Sequence, residues 1–119
     1  MSSGTVNEPV GLMVIWSSAD REVAFSNVFM YSRNALLKGW WNQVQLVVWG
    51  PSTKLLAEDR ELQQELGELK AAGVRLMACR ACALMYGVDE RLEELGLEVV
   101  FMGAPLTEAL KTGWAVLTY

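Results

Sequence analysis

Short apolar runs alternate with helical stretches along nearly all of this chain, and that alternation leaves few folds open. Residues 11–16, 44–49, 74–78, 98–102 and 114–119 read as strands. Residues 11–16 are continuously apolar and the other runs are short and mainly apolar, which calls for burial on both faces. Residues 21–38, 54–72, 81–86, 89–95 and 105–111 read as the helices between them. Strands joined by helical crossovers predict a parallel sheet covered on both sides, a three-layer α/β/α domain of about five strands.

The punctuation supports these assignments. Ser17, Ser18 or Asp20 can cap the first helix, Ser52 or Thr53 the second, and Asp89 a later one. Gly39, Gly73, Gly87 and Gly96 follow helical stretches, and Pro105 suits a first turn. In the first helix Ala24, Val28, Tyr31 and Ala35 recur at helical spacing, while Phe25, Phe29 and Leu36 widen the apolar surface beyond one stripe. Leu62, Leu66 and Leu69 mark the buried side of the second, opposite a Glu-rich solvated face.

The chain has 119 residues, enough for one domain at residues 10–119 behind a flexible tail at 1–9. Its formal net charge is −4 and no basic run occurs, so nucleic acid is not an expected partner. The first residues lack the basic and apolar segments of a secretory signal. No apolar stretch approaches the roughly 20 residues that span a bilayer. The expected setting is the cytoplasm, where a Cys-x-x-Cys pair is a redox, sulfur-handling or metal-binding feature sooner than a staple.

That pair is Cys79 and Cys82, the only cysteines of the chain. Active crevices of parallel sheets lie outside the carboxyl ends of the strands. Cys79 falls there, where the helix that follows favours the thiolate. Arg80 would add to this by turning toward the sulfur, and packing by Met77 or Met85 would oppose it. The chain contains no histidine, which removes Ser-His-Asp and Cys-His catalysis. Two thiols cannot close a tetrahedral zinc site within one chain, so no metal is expected. No Gly-rich phosphate loop is present, and no organic cofactor is expected. The plain alternative is that both cysteines are small core residues. Trp40 and Trp41 cannot both point inward easily, and one is a candidate interface anchor.

The segment from Gly73 to Ala83, with Gly87-Val88, Gly96-Leu97-Glu98-Val99, Leu106 to Leu110 and Gly113, resembles the DsrE/DsrF-like family of small sulfur-relay proteins. The resemblance implies a parallel α/β/α sheet with the last strand beside the first. It implies assembly as a homotrimer or homohexamer. It also implies sulfur carried as a persulfide on the cysteine after the third strand, here Cys79, with a protein sulfur donor and acceptor as partners. Cys82 would then resolve the persulfide by forming a disulfide. A dithiol redox protein and a non-enzymatic oligomeric scaffold are the rival readings.

Overall fold

The computed structural model describes residues 8–119. The expected tail at residues 1–9 lies outside them except for Glu8 and Pro9, which are exposed. Five strands form one sheet: β1 (Leu12–Trp16), β2 (Val44–Val48), β3 (Arg75–Cys79), β4 (Glu98–Val100) and β5 (Ala115–Thr118). Their order is β4-β3-β2-β1-β5, every pairing is parallel, and the last strand lies beside the first.

This order makes the two faces unequal. The crossovers from β1 to β2, β3 and β4 step in one direction, so right-handed connections put them all on one face. Only the return from β4 to β5 crosses the other. The packing follows that division. The first face carries Val14, Trp16, Leu46, Leu76 and Val99 against most of the helices. The second carries Met13, Ile15, Val47, Met77 and Cys79, and its main cover is α7 (Gly103–Lys111). Five strands about 4.8 Å apart make a face roughly 19 Å across. A nine-residue helix is only about 14 Å long and 10 Å wide, too small to cover it. A groove of about 380 Å³ remains, lined by Met13, Gln45, Met77, Val100 and Trp114 among others. Trp114 packs so tightly over β1 that a Cβ at Gly11 would come within 2.6 Å of its ring.

The first helical stretch is not uniform. A short α1 (Arg21–Val23) widens into a π-helix at Ala24–Phe29 and returns to α-helix in α2 (Met30–Leu37). The wider turn lets the adjacent pair Val28 and Phe29 both face inward with Ala24. Phe29 meets the Trp16 ring edge-on, with centroids 5.1 Å apart. Tyr31, expected on the buried stripe, is only half-buried, and Ser32 takes the inward position.

The expected single helix at 54–72 is two helices, α3 (Ser52–Glu58) and α4 (Arg60–Ala71). Asp59 breaks them apart. Its backbone is extended, and its carboxylate accepts the Leu62 N–H at 3.1 Å as the cap of α4. Arg21 reaches it from α1 at 2.7 Å. Leu62, Leu66 and Leu69 are buried as the spacing predicts, each contributing about 1.5–3 kcal/mol of apolar transfer. Neither Ser52 nor Thr53 caps α3. The Ser52 hydroxyl donates to the Trp16 carbonyl instead, and Thr53 is buried. Asp20 caps α1 through the N–H groups of Glu22 and Val23. Asp89 does not cap α6 (Asp89–Glu94) but is its first residue.

Candidate thiol site

Both cysteines lie at the carboxyl edge of the sheet. Cys79 ends β3 and immediately precedes α5 (Arg80–Tyr86), whose first turn carries Cys82. Strand alternation places Cys79 in phase with Met77, on the second face. It is only 4% exposed and belongs to the same buried cluster as Met77 and Met102. Cys82 is half-buried and packs against the edge of that cluster. Of the two thiols, Cys82 is therefore the more accessible, the reverse of the exposure expected for a receiving Cys79. Both are free.

Parallel pairing of β2 with β3 brings the turn after β2 beside the cysteines. There the Gly50 N–H donates to the Cys82 Sγ at 3.3 Å. Gly50 has φ +77°, a conformation that glycine takes without penalty. Further hydrogen bonds tie the neighbouring turns together. The Ser52 N–H donates to the Ser17 carbonyl at 3.0 Å, and the Trp49 N–H to the Trp16 carbonyl at 3.0 Å. The Ser17 N–H and hydroxyl both donate to the Tyr119 carbonyl, at 2.8 and 3.1 Å. The Ser18 hydroxyl accepts the Asp20 N–H at 3.0 Å. These serines are thus engaged in holding the crevice wall.

Burial pushes the Cys82 thiol upward, the Gly50 N–H pulls it back, and the neighbouring Cys79 thiol pushes it up again, so the net direction is upward. Arg80 does not turn toward the sulfurs. Its guanidinium donates to the Val99 carbonyl and lies 3.7 Å from the Glu93 carboxylate. Met77 packs in the same cluster as Cys79, whereas Met85 is 69% exposed. Leu84, on α5 with Met85, and Phe101, just after β4, are also exposed.

The Gly50 N–H is the feature that residue-by-residue reading passed over, because Gly50-Pro51 looks first like a turn. The signal for it was indirect: neighbouring parallel strands end side by side, so the turn after β2 must abut the one after β3. Trp41 packs on the core and donates to the Tyr31 hydroxyl at 3.1 Å. Trp40 stacks on the Tyr31 ring and stays 56% exposed. One of the two tryptophans therefore turns outward, as expected.

Among the described residues, no group of three His, Cys, Asp or Glu side chains could hold a metal ion. No helix among them is long and apolar enough to cross a membrane. What the edge offers chemically is two adjacent thiols and a backbone donor.

Five parallel strands in the order β4-β3-β2-β1-β5, with helices on both faces, define a three-layer α/β/α class, here with a cysteine pair where β3 passes into α5. Within it, the chain belongs to the DsrE/DsrF-like family, whose profile matches residues 12–119; sulfur relay is the family's general theme. A conserved protein of unknown function from Bacteroides thetaiotaomicron, BT1422, is 33% identical and superposes with a TM-score of 0.89, covering 100% of this chain and 99% of that one. The YchN protein of E. coli shares the fold at 17% identity and a TM-score of 0.71, covering 92% of this chain and 98% of its own. A comparison with curated protein sequences gives no match.

Proposed function

We propose that this chain is a sulfur carrier that takes sulfane sulfur from a donor persulfide onto the Cys79–Cys82 pair and passes it to an acceptor thiol. The observation that carries the reading is the pair itself, two free thiols at the carboxyl edge with Cys82 partly open and hydrogen-bonded by Gly50. Family membership supports it. In the loading step a thiolate of the pair attacks the outer sulfur of the donor persulfide. A new S–S bond forms as the donor's S–S bond breaks, and the donor leaves as a thiol carrying the proton that the attacking thiol lost. An acceptor thiolate unloads the sulfur by the same exchange, with no net oxidation. The chemistry uses no histidine, metal or organic cofactor.

The partners in this reading are a protein donor, a protein acceptor and further copies of the chain, as a homotrimer or homohexamer in a reducing cytoplasm. The exposed Leu84 and Met85 on α5, the helix that carries Cys82, and Phe101 just after β4 supply apolar contact surface. The burial of Cys79 favours one rival, a non-enzymatic oligomer in which the cysteines only pack.

Cyanolysis separates the two. After incubation with a persulfide donor and desalting, cyanide should release thiocyanate in proportion to the protein. The double variant Cys79→Ser, Cys82→Ser should release none. Thiocyanate at the double-variant level from wild type would leave only the packing role.

A further inference from the structure

The two thiols are not equivalent, and their difference assigns them an order of action that the strand-end position of Cys79 alone does not suggest. Cys79 is 4% exposed, at the end of β3, among the side chains of the second-face core. A donor persulfide must bring its outer sulfur into line with the attacking thiolate and the departing sulfur, which needs open space at the nucleophile. Cys79 has little. Cys82, one helical turn further on, is half-buried rather than sealed, and the Gly50 N–H lies 3.3 Å from its sulfur. A backbone donor at that distance stabilises negative charge on sulfur, either as the attacking thiolate or as the leaving group.

We infer that Cys82 is the receiving thiol, with Gly50 as its positioning residue, and that the buried Cys79 is the resolving thiol behind it. The inference rests on the uptake reading above. The Cys82 thiolate attacks the outer sulfur of the donor persulfide, and the donor leaves as its thiol, giving Cys82–S–SH. Where no acceptor thiol takes the outer sulfur, Cys79 attacks the Cys82 sulfur. The Cys79–Cys82 disulfide forms, the bond to the outer sulfur breaks, and that sulfur departs as hydrosulfide with the electron pair. The two cysteine sulfurs are oxidised by two electrons in all and the sulfane sulfur is reduced by two. A low-molecular-weight thiol, oxidised to its own disulfide, returns the pair to the dithiol form. Burial of Cys79 protects the loaded state, because the resolving attack waits on local rearrangement and an acceptor reaches the outer sulfur first.

The sequence supplies a direct test. Trypsin cleaves after Arg75, Arg80 and Arg91, which puts Cys79 and Cys82 on separate peptides, 76–80 and 81–91. Wild-type protein is mixed with a low-molecular-weight persulfide, quenched at short times with an alkylating agent and digested. The added sulfur is expected first on peptide 81–91, and Cys79→Ala should load as fully as wild type while Cys82→Ala falls to the level of the double variant. On unloaded protein Cys82 should alkylate more than about tenfold faster than Cys79, the factor that a local opening of about 1.4 kcal/mol imposes on the buried thiol. Sulfur arriving first on peptide 76–80, or equal alkylation of the two, overturns the order of action while leaving uptake intact. Sulfur on neither peptide overturns both. These readouts on wild-type protein do not depend on how well either variant folds.

Discussion

Cys82 is where local environment decides chemistry. Its thiol is pushed upward by burial first, drawn down by the Gly50 N–H and raised again by Cys79. In the order of action inferred above, access rather than acidity makes it the receiving group. The sign of the pH dependence follows. Only the thiolate attacks, so loading at fixed donor should keep rising with pH past about 8.5, where an ordinary cysteine is half ionised. Stopped-flow alkylation across pH measures this, and a plateau reached below that value would contradict it. The position of the pair at the carboxyl edge was legible from residues 74–82, because a strand followed by a helix ends in one place. Which thiol is open was not. That depends on how tightly Met77, Met102 and α5 close around Cys79, a packing outcome with no local signature. The orientation of Arg80 was equally hidden, since its partners Val99 and Glu93 come from other elements.

At the scale of elements, the five strands were readable because each is a short, mainly apolar run set between helical stretches or at the end of the alternation. The break at Asp59 was not, for a physical reason. Leu62, Leu66 and Leu69 keep helical spacing through the acidic run, and Asp59 looks like one more solvated carboxylate among Glu58 and Glu61. Its role appears only when Arg21 arrives from α1 and the Leu62 N–H from α4. The π-helical turn at Ala24–Phe29 is a tertiary choice of the same kind, made so that Val28 and Phe29 share the core. Asp59→Ala should cost about 1 kcal/mol as a lost cap, read as a shifted urea midpoint. Burial raises the Asp59 carboxyl, but the Arg21 and Leu62 hydrogen bonds together hold it below its usual range. A depressed carboxylate contributes fully above its unfolded value of about 3.9 and loses that contribution as pH falls through the lower folded value. Asp59→Asn should therefore flatten the acid side of the stability curve, and an unchanged acid limb would argue against this role.

The whole molecule is lopsided, and the lopsidedness has a topological cause. Three crossovers stack on one face and a single short helix answers them on the other, leaving the groove beside Met13, Met77 and Trp114. The exposed Met30 on α2 and Trp40 just after that helix add further apolar surface. Such surface is costly for a lone domain of this size. Light scattering at micromolar concentration should give a mass of three or six chains, and a monomer mass would count against the assembly proposed above. The most direct measurement of the central claim is simpler. An intact mass spectrum is recorded before and after incubation with a low-molecular-weight persulfide, for wild type and for the Cys79→Ser, Cys82→Ser variant. Sulfur carriage predicts that wild type gains the mass of one sulfur atom, loses it to an added acceptor thiol, and that the variant gains nothing. Wild type that neither gains sulfur at short times nor goes on to the disulfide, which is two hydrogens lighter, or the same gain in both, would contradict it.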